Sequence, residues 1–405
     1  MEAQGGVSEP SWPAVLAMYG GGLIIGATLD SFSASSAYLI ALHGFTDRQY
    51  GSIYIPQLIA AAAGAIAGGV ASRLFSLRRL FEISMVAFLV AQTLLMLGGW
   101  PGNVLTLREA LLVLMGATAS FGFGFGFGGG PLNGLVALQF PGSRNPAITA
   151  LHMCAGAGLA VAPFVFSRFA LAGHWTRGII CLSLLTALVL AVAILARLPD
   201  SIRSGSTRPS PVTPVHDKVF WILVIAAIAY ALVEGTFSNW VVLFVQDDLR
   251  LPAATAAAAL GTFWGGLTIG RLCVSVIALR IKPLVILCAL SLCMMAALLL
   301  VRSITSPASA LVGFAVAGLA CSAFFPLLVG FSAEDCPDQV SWLASMLTAA
   351  LMTGVGLGSY AIGALRASVS IRDLYAYALA YPILALAAVL VAQAMRRGRI
   401  TKPLL

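Results

Sequence analysis

Two acids in the middle of long apolar runs are the residues best placed to do chemistry in this chain. Asp30 stands in the run from Ala14 to Leu42, among Ser31, Ser33, Ser35 and Ser36. Glu234 stands in the run from Lys218 to Gln246, followed by Gly235, Ser238, Asn239 and Trp240. Each acid lies 16 residues past the start of its run, roughly 24 Å along a helix. The two are 204 residues apart, one in each half of the chain. A carboxylate inside a bilayer costs roughly 2.5–3.5 kcal/mol on insertion scales. It is kept either because it takes up and releases a proton or binds a solute, or because nearby serines and backbone satisfy it. Asn239 and Trp240 follow Glu234 by 5 and 6 residues, so all three converge only if that helix is unwound or tilted.

Other polar groups in apolar surroundings extend the set. Gln57, beside Pro56, and Asn133 are candidate solute contacts. His152 is either a proton relay or a hydrogen-bonding link between helices. Trp264 and Trp342 stack on a solute ring or simply pack. Arg271 pairs with an acid, holds an anionic solute, or serves a loop network together with Arg73, Arg78 and Arg79.

These residues need apolar helices to hold them. The chain is 60% hydrophobic and 9% charged, against about 25% charged in a soluble domain, so it reads as an all-α membrane protein in contact with the lipid bilayer. Runs of roughly 20 apolar residues are spans, too long for barrel strands of about 10. Twelve are predicted: 14–42, 49–72, 79–99, 107–135, 146–170, 175–197, 219–246, 253–278, 283–301, 308–331, 341–365 and 372–395. With both termini cytoplasmic, 15 of the 23 lysines and arginines fall on the inner side and 8 on the outer, a bias that supports that orientation for a multi-pass protein of the inner membrane. Arg396, Arg397, Arg399 and Lys402 would anchor the last span near anionic lipid. Met1 to Pro10 lacks a basic stretch, so no cleaved signal is expected.

Leu198 to Asp217, with Pro199, Pro209, Pro211 and Pro214, cannot bury enough surface to fold. It reads as a cytoplasmic linker, 198–217, between six-span bundles at 1–197 and 218–405. The basic loop Arg78–Arg79 returns at Arg280 and Lys282, an offset close to that of the two acids. Span 4 contains the alternation from Phe121 to Gly130-Pro131. As a lone strand it would leave its backbone unpaired in lipid. As a helix it offers close packing through small residues, with or without bending at a central site.

Twelve spans in two halves resemble the major facilitator superfamily. The stretch Gly68-Gly69-Val70-Ala71-Ser72-Arg73-Leu74-Phe75-Ser76-Leu77-Arg78-Arg79 is similar to its loop signature between spans 2 and 3, with Ser72 where the family usually has an acid. Asn133 after the glycine run, Leu151-His152 with Gly158 and Pro163, Glu234-Gly235, Asn239-Trp240, Phe263-Trp264-Gly265, Gly270-Arg271, Gly318 and Phe325-Pro326 resemble its fucose/glucose permease-like branch. That branch also uses an acid in span 4, where this chain has only Glu109, near the outer end.

The resemblance implies a secondary transporter that moves a small organic solute by alternating access, with proton-coupled uptake. Asp30 and Glu234 would couple protons, and Gln57, Asn133, His152, Asn239, Trp240 and Trp264 would line the solute site. Gly158 to Pro163 half-matches an antiporter motif, which keeps proton-coupled efflux of drugs or hydrophobic metabolites open. A monomer without cofactor or metal is expected. No phosphate-binding loop is present, four scattered histidines form no catalytic cluster, and the basic residues lie between spans rather than on a nucleic-acid patch. An enzyme is therefore not expected.

Overall fold

The computed structural model describes residues 11–72, 74–102, 104–140, 144–196, 198, 217–333 and 340–400, with backbone alone at 144–146, 149, 333, 340–342, 344–345 and 398–400. The fold is all-α. Among the described residues, twelve helices are long and apolar enough to cross a membrane. Spans 1 to 6 are Trp12–Ala34, Asp47–Ala71, Leu77–Gly98, Leu107–Gln139, Ala150–Leu171 and Trp175–Leu195. Spans 7 to 12 are Lys218–Asp248, Ala253–Ile277, Pro283–Arg302, Pro307–Ser332, Met346–Leu365 and Ile371–Arg397. Each predicted span has its counterpart. The predicted linker, 198–217, lies outside the described residues apart from Leu198 and Asp217.

Spans begin where a side chain can satisfy the free N–H groups of the first turn. Thr46 with Gln49 and Thr106 with Glu109 form reciprocal capping boxes at spans 2 and 4. Glu109 is thereby committed to its own helix start. Ser76 caps span 3, and the Asp217 carboxylate accepts from the Val219 N–H at 2.9 Å to open span 7. Span 1 breaks at Ser35 and resumes as Ser36–His43. Span 10 breaks between Pro307–Cys321 and Phe324–Ala333. Span 7 finishes in a π-helical turn, Phe244–Asp248, where the Leu249 N–H reaches the Phe244 carbonyl at 3.0 Å.

The buried apolar side chains form two clusters. One runs from Ala14 to Leu198, and the other from Val219 to Ala392 with Leu159 as its contribution from the first half. Two pseudo-symmetric six-helix bundles result. Within each, helices approach backbone to backbone at glycine. A side chain at Gly26 would strike the Ala155 carbonyl, and one at Gly158 the Leu23 carbonyl, so spans 1 and 5 interlock. Gly318 against the Phe263 carbonyl does the same for spans 10 and 8.

The Phe/Gly alternation of span 4 has the same explanation. On a helix, residues four apart share a face. Gly122 and Gly126 meet the Gln57 and Ala61 carbonyls of span 2, while Gly124 and Gly128 meet Phe88 and Ser84 of span 3. Overpacking typically costs about 1–3 kcal/mol, and a backbone carbonyl cannot move aside. Gly126→Leu should therefore sit at or above the top of that range and lose most folded yield in a fluorescence size-exclusion assay. Gly129→Ala, which meets nothing within 4 Å, should keep wild-type yield.

Candidate functional site

The seam between the bundles carries a polar chain built from residues of both. The Asp30 carboxylate of span 1 is buried. Its Oδ1 accepts from the Trp264 indole N–H of span 8 at 2.7 Å, while its Oδ2 has no partner. Tyr50 and Tyr54 of span 2 stand within electrostatic range of Asp30, and their hydroxyls are 3.4 Å apart. The Tyr50 hydroxyl donates to the Phe32 carbonyl at 2.6 Å. One turn beyond Asp30, the Ser33 hydroxyl donates to Asn239 Oδ1 at 2.9 Å, and Asn239 Nδ2 donates to the Ser359 hydroxyl of span 11 at 2.5 Å. Spans 1, 7 and 11 are thus joined through one amide. Buried polar atoms need partners, and at Asp30–Trp264 and Ser33–Asn239 the two halves supply each other's.

Glu234 occupies a different environment. Span 7 stays α-helical from Lys218 to Leu243, so the convergence of Glu234 with Asn239 and Trp240 does not occur. The half-buried Glu234 carboxylate meets the hydroxyl of Tyr230, one turn earlier on the same helix, and that hydroxyl also reaches the Cys321 carbonyl at 2.9 Å. Arg271 acts electrostatically on Glu234, Tyr230 and, across the seam, His152. The Arg271 Nε donates to the Ser322 carbonyl at 2.9 Å, inside the break of span 10. His152, Met153, Thr268, Arg271, Leu272 and Ser275 line a pocket of about 60 Å³ between spans 5 and 8.

A third cluster closes one end of the seam. Arg366, at the end of span 11, pairs with Asp47 of span 2 at 3.0 Å, and with Asp247 at 3.0 Å and Asp248 at 3.3 Å in the π-helical turn. The wide turn presents two consecutive carboxylates to one guanidinium, and Asp248 also accepts from the Ile371 N–H at 2.9 Å. Beside this cluster the Gly51 and Gly363 backbones pack against span 11 and Asp47 respectively, with the Trp240 ring next to both. Trp240 is fully buried, with its indole N–H unpartnered.

The remaining predicted residues are dispersed. Gln57 is buried beside Gly122 with its Oε1 unpartnered. Asn133 donates to the Gly129 carbonyl at 2.8 Å on its own helix. Arg78 binds Glu82 at 2.7 Å and the Ile194 carbonyl at 2.6 Å, tying span 3 to span 6. Arg79 is exposed, and Arg73 and the Trp342 side chain lie outside the described residues. The structure brings Asp30 and Trp264 into one bond and Asn239 into another a turn away at the same seam, and Glu234, Arg271 and His152 into one neighbourhood.

Sequence reasoning passed over Tyr50, Tyr54, Ser359 and the Arg366 cluster. A signal existed for the last: Asp47 and Asp248 are 201 residues apart, close to the offset between the two halves. Among the described residues, no group of His, Cys, Asp and Glu is arranged to hold a metal ion.

Twelve helices in two bundles, with polar residues at the seam, define a membrane transporter rather than an enzyme. The model of the Major Facilitator Superfamily matches residues 15–359, and the chain belongs to that family. No curated protein matches the sequence significantly. Among solved structures, the D-xylose–proton symporter superposes with a TM-score of 0.73 at 15% identity, covering 94% of this chain and 97% of that one. The nucleoside transporter NupG gives 0.70 at 13% identity, with 94% and 98% covered. FucP in its outward conformation gives 0.64 at 14% identity, with 94% and 98% covered.

Charge-assisted hydrogen bonds contribute about 1.5–3 kcal/mol, a factor of roughly ten to a hundred in an equilibrium. Arg366→Gln should shift the seam towards opening at this end by about that factor. Spin labels at the exposed Ala41 and Ala367 should then show a second, longer separation in double electron–electron resonance. An unchanged distance distribution would deny the cluster a closing role.

Proposed function

We propose that this chain is a secondary active transporter that takes up a small organic solute across the inner membrane by alternating access, coupled to protons. Both termini are cytoplasmic in this reading, so the Arg366 cluster closes the outer side and the His152–Arg271 pocket faces inward. The observation that carries the reading is Asp30. Its carboxylate lies buried at the seam, one oxygen held by the opposite bundle and the other unpartnered. A proton on that oxygen removes a charge from low dielectric, while loss of the proton leaves an ion that Trp264 alone addresses.

Protonation therefore alters the balance between seam-closed and seam-open states, which is what coupling requires. Glu234, with Tyr230 and Arg271 around it, is the second proton site, nearer the inward side. Gln57, Asn133, His152, Asn239, Trp240 and Trp264 are the polar and aromatic groups past which a solute would move, with Asn239 and Trp264 first released from their bonds across the seam. The D-xylose–proton symporter shares the fold and, by its name, this form of coupling.

A thermal-shift screen of sugars, nucleosides, vitamins and organic acids identifies a solute, whose uptake is then followed in proteoliposomes under an imposed pH gradient. The wild type should accumulate it. Asp30→Asn and Glu234→Gln should each fold, yet reach only equilibration, with counterflow surviving in at least one of them. Gradient-driven accumulation at the wild-type level in both variants would remove the assigned role.

A further inference from the structure

The geometry points to an oxyanion subsite at His152 and Arg271, between spans 5 and 8, that takes the carboxylate of an organic-acid solute. It rests on the transport reading above and narrows it to a substrate class. Arg271 is the starting point. Its Nε is spent on the Ser322 carbonyl, which fixes the plane of the guanidinium. Its two terminal nitrogens have no hydrogen-bond or ion-pair partner among the described residues, and they sit at a pocket with no acidic residue in its lining.

A guanidinium with a free fork inside a membrane span is costly unless something negative completes it. A planar carboxylate does so with two parallel bonds. The pocket has room for a few water-sized atoms, enough for that group but not for a whole solute, whose remainder would extend along the seam.

The rest of the lining agrees with an anion. His152 comes from the other bundle and can donate from its ring. The hydroxyls of Thr268 and Ser275 direct their protons to the Trp264 and Leu272 carbonyls of their own helix, so the Arg271 guanidinium and the His152 ring N–H carry the recognition. Glu234 acts on Arg271 only at a distance, without an ion pair, and its carboxylate is already engaged by Tyr230. A ligand held by His152 on one bundle and Arg271 on the other spans the seam. Its binding therefore differs between the two arrangements of the bundles, as a transported solute must.

The test measures thermal shifts of purified full-length protein in neutral detergent with matched pairs: benzoate and benzamide, nicotinate and nicotinamide, lactate and lactamide. The carboxylates should stabilise the wild type and the amides should not. Arg271→Gln should abolish the shift, and Arg271→Lys, which keeps the charge but loses the fork, should weaken affinity roughly tenfold. If Arg271→Gln fails to fold, the Lys variant with His152→Leu decides the matter.

Stabilisation by phosphatidylglycerol but by no carboxylate would assign the arginine to a lipid phosphate and overturn the subsite. So would shifts that persist in Arg271→Gln, or amides matching their acids. Each of those results leaves proton-coupled accumulation, tested with the Asp30 and Glu234 variants, unaffected.

Discussion

The structure depends on one constraint: inside a bilayer, a polar group must find its partner within the protein. Asp30 meets it with one oxygen only, which reaches across the seam to Trp264, and Asn239 meets it by joining Ser33 to Ser359. The same bonds that satisfy these groups also hold the bundles together. Opening the seam at this level therefore strips partners from a carboxylate, an indole and an amide at once.

How much of this was legible in the sequence varies with the physics behind each feature. The spans were legible because a stretch of roughly 20 apolar residues has few alternatives in water or lipid. The two acids were legible because charge in such a stretch is costly enough to notice. The residues around them were not, since Tyr50 and Tyr54, near Asp30, and Ser359, which accepts from Asn239, are ordinary residues until folding sets them at the seam. Glu234 shows the limit of spacing arguments. Its nearness to Asn239 and Trp240 along the chain suggested a common site, but an unbroken helix turns it instead towards Tyr230 and Arg271. Trp264 was noticed for its ring, whereas its N–H makes the decisive contact. The oxygen-rich end of the seam went unread because Asp47, Asp247 and Asp248 sit at span ends, where acids are common.

The two halves use one plan with different contents. Both carry an intramembrane acid in their first span, Asp30 18 residues and Glu234 16 residues past its start, yet one acid bonds the opposite bundle and the other its own. The pseudo-symmetry is one of scaffold rather than chemistry. That division separates a carboxylate bonded across the seam from one bonded within its own bundle, although the two rest on equivalent helices.

The glycine contacts have a mechanical corollary. Where Gly26 meets the Ala155 backbone, or Gly318 that of Phe263, no flexible side chain lies between the helices to act as a cushion. Paired spans joined in this manner can slide past one another only by separating their backbones first. The bonds across the midline from Asp30 to Trp264 and from Ser33 to Asn239 join side chains instead, so they can part without first breaking these backbone contacts inside the bundles.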